Sequence, residues 1–570
     1  MTQNGSMQPE SLVGQTPSKN LGMVVSGSLT EGMEVRLDAS TSIEDIKVGT
    51  FVSIQGQRMR FFGVVTEVAL KAMDHTMVTS PPDVSNPFIA KVISGTAAYG
   101  TITVEPMLTI GGGGDIAGID GPQPAKTVPP HFSAVGTATD DDIRIVFGEE
   151  DENHFYIGNP LDMETRLCLN IEELVKRSNG VFGKSGTGKT FLTRLLLLGI
   201  LQNGTASNLV FDMHGEYGWK GTSESDNREV KGLKQLFPSK VAVFSLDEES
   251  SRRRGLSPDY IVRIGYEEIE PEDIQMLRDT LNLSEVAADA AHALQRKFGR
   301  RRWLKSFLDL PTGSDVGELA QELNVNERAL STLHSRLARL DRYHFMDKDS
   351  GHDSVNQILN YIERGMHVVL EFGRYGSDLT AYILVANLLT RRIHNQYVDR
   401  KEEAEGGQGR EPRPLVIVIE EAHKFLSQSV ASHTIFGTIA RELRKYNVTL
   451  MVIDQRPSGI DSEVMSQVGT RLTCLLDNER DIEAVLEGTP GSRQLRTVLA
   501  RLEPKQQALI FGHALPMPVV IHTREYGSTD SYEQLSRSAA GWTAPARGET
   551  IETHEERLDR EISELFPEDG

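Results

Sequence analysis

Eight residues, Gly183-Lys184-Ser185-Gly186-Thr187-Gly188-Lys189-Thr190, fit the pattern Gly-x-x-x-x-Gly-Lys-Thr, which requires a strand, a tight turn and a helix in that order. The glycines let backbone N–H groups turn inward, where they can cradle the α- and β-phosphates of a nucleoside triphosphate. Lys189 is placed to reach the β- and γ-phosphates, and the Thr190 hydroxyl to ligate Mg²⁺. The flanks agree: Gly180-Val181-Phe182 reads as a strand end, and 191–198 (Phe-Leu-Thr-Arg-Leu-Leu-Leu-Leu) as a helix. The expected nucleotide-binding residues are Gly183, Lys184, Ser185, Gly186, Thr187, Gly188, Lys189, Thr190 and Phe191, with ATP as cofactor. The alternative, a plain glycine-rich turn, leaves the strand and helix on either side without a reason.

A chain of 570 residues with 38% hydrophobic content has room for three or four domains with ordinary cores. No window approaches the roughly 18 consecutive apolar residues of a membrane span, and the polar first twenty residues lack a signal-peptide apolar segment, so a cytoplasmic location is expected. Cys168 and Cys474 have no metal-ligand or redox spacing and read as packing thiols. A formal net charge of −21 excludes a surface that binds nucleic acid everywhere, because polyanion affinity rests on neutralised phosphates. It leaves room for a local basic channel. Candidates are Arg252-Arg253-Arg254, the group Arg296, Lys297, Arg300, Arg301 and Arg302, and the row Arg336, Arg339 and Arg342, each of which also reads as a solvated helix face.

The chain changes texture along its length. Residues 1–19 are polar and expected to be disordered. Over 20–150 short alternating runs such as Thr50-Phe51-Val52-Ser53-Ile54 and Arg60-Phe61-Phe62-Gly63-Val64-Val65, divided by glycine, asparagine and proline turns, predict a small β-barrel. Over 151–265 and 359–525 apolar strands alternate with helices, the pattern of a parallel α/β sheet; 266–358 has helical periodicity only and reads as an inserted helical bundle. The charged, glycine- and proline-bearing stretch 400–414 reads as an exposed loop. The tail 526–570 ends in an acidic segment with a short amphipathic pattern at Leu558, Ile562 and Leu565, either solvated or docked on a neighbour.

Three strand ends carry the chemistry that a phosphate loop needs. The apolar strand 415–419 runs into Glu420-Glu421-Ala422-His423, which places Glu420 for hydrated Mg²⁺ and Glu421 as the carboxylate that orients water on the γ-phosphate; the alternative is that the two acids cap the next helix. Asp212, in Asp212-Met213-His214-Gly215-Glu216-Tyr217, ends the strand after the phosphate-loop helix, and ligands bind beyond such carboxyl ends. Gln455, in Asp454-Gln455-Arg456-Pro457, is placed to sense the γ-phosphate, or simply closes a polar turn. Arg441, Arg444 and Lys445 offer cations on a helix, for a neighbour's transition state or for surface ion pairs.

This set of motifs, in this order and separation over roughly residues 20–525, resembles the HerA-type ATPases, relatives of the FtsK DNA translocases. The resemblance implies a RecA-like core with an N-terminal β-barrel and an inserted helical bundle. It also implies a homo-hexameric ring with ATP between subunits, double-stranded DNA through the channel, and a nuclease or NAD-consuming effector on the barrel face in DNA-end processing or phage defence. By motif position Lys189 and Thr190 bind phosphate and Mg²⁺, Glu421 is the catalytic carboxylate, Arg444 resembles the trans-acting arginine finger, and Arg177 matches a further arginine of the site. Two positions depart from the pattern: Glu420 stands where Asp is usual, and Leu443 where glycine commonly precedes the arginine-lysine pair. The competing expectation is an ATP-regulated ring scaffold that activates its effector without sustained translocation, which the acidic balance favours.

Overall fold

The computed structural model describes residues 19–73, 76–79, 83, 85–86, 88, 92–93, 97–111, 121–222, 229–311, 314–348, 353–431, 434–442, 445–489 and 491–538. The N-terminal stretch 1–18 and most of the C-terminal tail therefore lie outside the described residues, as do Leu443 and Arg444.

Six strands close into a barrel in the order Gly32–Leu37, Asn20–Ser28, Ala134–Thr137, Phe51–Gln55, Met59–Ala72, Ala98–Gly111, and back to Gly32–Leu37 through the antiparallel register Met33↔Val104 to Arg36↔Thr101. Alternation along the strands drives the closure: Leu21, Val24, Met33, Val35, Val52, Ile54, Val65, Ile102, Val104 and Val135 fill the interior. The helix Asp140–Phe147 leaves the barrel under a capping box made by Thr139 and Asp142, and buried Asp142 also accepts from Arg60 at 2.7 Å.

The second layer is a twelve-stranded sheet. Its parallel part runs Tyr260–Ile261, Val241–Ser245, His367–Glu371, Ser207–Asp212, Leu415–Glu420, Val448–Asp454, Asn179–Phe182, Thr470–Thr473. Apart from the edge pair Tyr260–Ile261 these strands are buried and largely apolar because helices cover both faces, among them Lys189–Asn203 and the 27-residue Leu379–Glu405. Four antiparallel strands, Gln507–Gly512, Val519–Thr523, His154–Pro160 and Leu167–Asn170, extend it on the Thr470–Thr473 side. The helix Leu379–Glu405 corrects the reading of 400–414 as loop: its charged last turns continue to Glu405, anchored by ion pairs of Arg400 with Glu363 and Lys401 with Glu411, and only 406–414 is irregular.

Between Tyr260–Ile261 and His367–Glu371 the chain is mainly helical, including Pro271–Met276, Glu285–Phe298, Trp303–Leu308, Ser314–Leu323 and Glu327–Leu337. The helix Ser354–Glu363 returns to pack on the sheet. Barrel and core meet at the helix Ser492–Ala500, where Gln494 donates to the Thr30 carbonyl at 2.8 Å and Glu105 lies beside Gly491. Beyond Ser528 a second unit begins, of which the described residues form the helix Thr529–Ser538.

Trp303 is fully buried in the bundle and its indole N–H donates to the Ile269 carbonyl at 2.9 Å. Trp303→Ala is expected to destabilise the bundle by about 3–5 kcal/mol. Hydrogen exchange should show this as loss of amide protection in Glu285–Phe298 and Glu327–Leu337, with the helix Lys189–Asn203 still protected.

Candidate active site

The parallel strands bring Phe182, Asp212, Glu371, Glu420, Asp454 and Thr473 to one edge of the sheet, where open α/β sheets bind ligands. The phosphate loop starts there. Gly183 has φ 151°, and a Cβ on it would sit 2.8 Å from the Cys474 Cβ and 2.9 Å from the Thr187 Oγ1, so the loop passes where only glycine fits. Gly186 and Gly188 also have positive φ, 75° and 96°. The helix Lys189–Asn203 opens on Gly188 with no side-chain cap, which leaves its first N–H groups for an anion. Lys189 Nζ donates to the Lys184 carbonyl at 2.8 Å, curled over the loop, and Lys184 pairs with Asp477. Thr190 and Phe191 occupy the first turn; the Phe191 ring packs 6.0 Å from Tyr526, with the Arg194 guanidinium 5.5 Å from each ring.

A buried carboxylate group stands on three adjacent strand ends. Asp212 is fully buried and accepts from the backbone N–H groups of Glu216 (2.8 Å), Tyr217 (2.9 Å) and Gly218 (3.2 Å). It thus shapes the turn 212–218, while burial still pushes its carboxyl up. The Tyr217 hydroxyl donates to Glu420 Oε1 at 3.0 Å, and Tyr382 brackets the Glu420 backbone, accepting from its N–H at 3.1 Å and donating to its carbonyl at 3.0 Å. Burial, then the Asp212 charge, raise the Glu420 carboxyl well above the usual range, and its buried Oε2 has no hydrogen-bond partner among the described residues. On the other side of Asp212, Glu371 pairs with Arg254 at 2.7 Å.

Glu421 leaves the strand with φ 50°, a left-handed conformation uncommon outside glycine, and this swings it away from its neighbour Glu420. Its Oε1 accepts from Gln455 Nε2 at 3.3 Å and its Oε2 lies 3.6 Å from His423 Nδ1. Glu421 and Gln455, 34 residues apart in sequence, therefore meet beside the phosphate-loop strand, which pairs with Val448–Asp454.

Arg177 lies elsewhere. It precedes the strand Asn179–Phe182, so the strand separates it from Gly183 by roughly 13 Å at the usual rise per residue. There it bonds His513 Nε2 at 2.5 Å and packs against Gly469. Arg441, on the helix Ile435–Glu442, is held by Glu463 at 3.1 Å. The roles of Tyr382, Glu371, His423 and Asp454 escaped the sequence reading. A polar residue closing an apolar run, as Glu371 closes His367–Glu371, was the available signal for one of them.

Two family descriptions match the chain: the central domain of helicase HerA over residues 155–393 and the HAS barrel domain over 21–112. Among similar proteins, the DNA double-strand break repair helicase HerA of Pyrococcus furiosus is 23% identical over 409 residues, covering 67% of this chain and 71% of that protein. The proteins of the same description from Saccharolobus solfataricus and Sulfurisphaera tokodaii are 24% and 25% identical, covering 67% and 71% of this chain and 71% and 75% of theirs.

Glu371 makes the site's electrostatics measurable. Burial first, and the neighbouring Asp212 charge second, push its carboxyl from 4.5 up to about 7 against the pull of Arg254. The folded acid holds a proton that the unfolded chain gives up near 4.5, so its contribution to stability is full below that pH and is lost as pH rises through about 7. Glu371→Gln removes the titration. Relative to the parent, the variant is expected to gain up to about 3 kcal/mol between roughly pH 4.5 and 7, measured by denaturation at stepped pH.

Proposed function

We propose that the chain is a HerA-type P-loop ATPase that hydrolyses ATP to move double-stranded DNA through a homo-hexameric ring, working with a nuclease or NAD-consuming effector on the barrel face. The observation that carries this reading is the division of the site. Phosphate loop, Glu420, Glu421 and Gln455 gather at the carboxyl edge of the sheet, whereas Arg177 sits at the amino end of the phosphate-loop strand, out of reach of its own loop. Such an arginine serves a triphosphate only across a subunit boundary, which makes hydrolysis depend on assembly.

In this reading Lys189 leaves the Lys184 carbonyl for the β- and γ-phosphates, and the open N–H groups of 183–190 hold the remaining phosphate oxygens. Thr190 and Glu420 are the residues that would hold Mg²⁺. The buried Oε2 of Glu420, lacking any partner, fits a group that supplies one, and the ion when bound neutralises phosphate charge. Glu421 orients the attacking water, Gln455 reports the γ-phosphate to it, and Asp212 acts indirectly by shaping the turn that carries Tyr217. Arg444 acts in trans on the neighbour, with Arg441 as the other candidate. For DNA contact, Arg252, Arg253 and Arg254 are spoken for by Glu248, Glu249 and Glu371, and Arg300 by Glu270; Arg301 and Arg302 are exposed and in no ion pair among the described residues. The net charge of −21 and the ion-paired Arg252-Arg253-Arg254 favour the second reading, a ring scaffold that activates its effector without translocation.

Double-stranded DNA is expected to raise ATP turnover several-fold, and Lys189→Ala and Glu421→Ala to lower it at least about 100-fold, the first with loss of nucleotide binding and the second without it. Turnover indifferent to DNA, with no roadblock displaced, selects the scaffold. A monomer by mass photometry with ATP present at micromolar protein would remove the intersubunit site.

A further inference from the structure

We propose that His423 is a positioning residue for ATP hydrolysis, a steric wedge hydrogen-bonded to Asp454 whose ring bounds the Glu421 carboxylate beside the strand end Asp454-Gln455. The proposal rests on the reading of Glu421 as the carboxylate that orients water.

Glu421 needs outside support because its backbone does not give it a preferred conformation. At φ 50° it occupies a region that a non-glycine residue populates at a cost of order 1 kcal/mol, and its side chain is only half-buried. The turn after it is sewn to the neighbouring strand. The Ala422 N–H donates to the Ile453 carbonyl at 3.3 Å, and the His423 N–H to Asp454 Oδ2 at 2.6 Å. Asp454, 1% exposed, also accepts from the Arg456 N–H at 2.7 Å.

The His423 ring stands between the two carboxylates. Its Nδ1 lies 3.0 and 3.2 Å from the two Asp454 oxygens and 3.6 Å from Glu421 Oε2. All these neighbours accept hydrogen bonds, so Nδ1 carries the hydrogen. Behind the ring, the turn Pro457–Gly459 passes so close that a Cβ on Gly459 would meet the His423 Cβ at 3.3 Å. Glu421 is thus bounded on one oxygen by Gln455 Nε2 and on the other by His423, whose ring is itself held by Asp454, the residue before Gln455. The donor atoms of Glu421, His423 and Asp454 fall within 4.8 Å of one another, but Asp454 already takes two backbone N–H groups as well as the ring, which suits a hydrogen-bonded brace.

The test uses the full chain with ATP and Mg²⁺. His423→Ala is expected to lower kcat roughly 10- to 100-fold while KM for ATP and the affinity for a fluorescent ADP analogue change less than about two-fold. His423→Asn, whose amide N–H₂ reaches the place of Nδ1–H, is expected to recover most of the loss. In a Glu421→Gln background, His423→Ala should add less than about two-fold, because the group it positions is already gone. The proposal is overturned if His423→Ala keeps kcat within two-fold, if Asn fails as badly as Ala in a protein that still binds the analogue, or if the two losses multiply. Full activity of Glu421→Gln alone removes the underlying assignment of Glu421, and this proposal with it.

Discussion

A carboxylate buried at the end of a parallel strand has to be satisfied within the protein, and the site is arranged around how this is done for Asp212. Its three backbone donors come from 216–218, which forces the chain to double back over the sheet edge. The returning turn then serves two other elements. Its Glu216 carbonyl receives the guanidinium of Arg194, a residue 2% exposed on the phosphate-loop helix, and its Tyr217 hydroxyl reaches Glu420 two strands' width of sheet away from the loop. One buried charge thereby couples the helix that begins at Lys189 to the strand that ends at Glu420. An unmet donor or acceptor at any of these points costs on the order of 1–3 kcal/mol, so the turn has little freedom to be rebuilt.

The same edge concentrates negative charge that the fold does not neutralise. Asp212, Glu371 and Glu420 stand on adjacent strands; Glu371 has Arg254, Asp212 has amides, and Glu420 has one tyrosine. The carboxyls of all three are pushed up by burial first, and those of Glu371 and Glu420 by the neighbouring Asp212 charge second. Glu420 is the most exposed to the consequence, with one oxygen partnerless. A cation near that oxygen relieves a defect that the apolar strand around it cannot.

Much of this was legible from local chemistry. The phosphate loop declares itself because Gly183, Gly186 and Gly188 are required by backbone geometry that no other residue adopts cheaply. The strand ends at Asp212 and Glu420 stand out because an acid closing an apolar run is costly to bury unless the site uses it. The barrel was readable from its alternation, and the inserted bundle from the absence of strands. What escaped depended on distance in sequence. His423 meets Asp454 across 31 residues and Tyr217 meets Glu420 across 203, and no periodicity records either pairing. The helix reaching Glu405 escaped for a different reason: Lys401, Glu402, Glu403 and Glu405 look like a solvated loop by composition, yet they are good helix formers carried on from the buried turns before them.

The closure of the barrel has a further consequence. Pairing of Gly32–Leu37 with Ala98–Gly111 completes the ring over the register Met33↔Val104 to Arg36↔Thr101, so within that closed band the backbone N–H and C=O groups are already paired, and Gln123–Pro124 adds a short further strand on Leu108 and Thr109. Within that band a partner cannot insert a strand and borrow main-chain hydrogen bonds, the route that tolerates almost any partner sequence. Recognition on the barrel is left to side chains such as Met23, 40% exposed, and Phe132, 73% exposed, whose contacts discriminate by shape. An open sheet would have traded that selectivity for easier attachment.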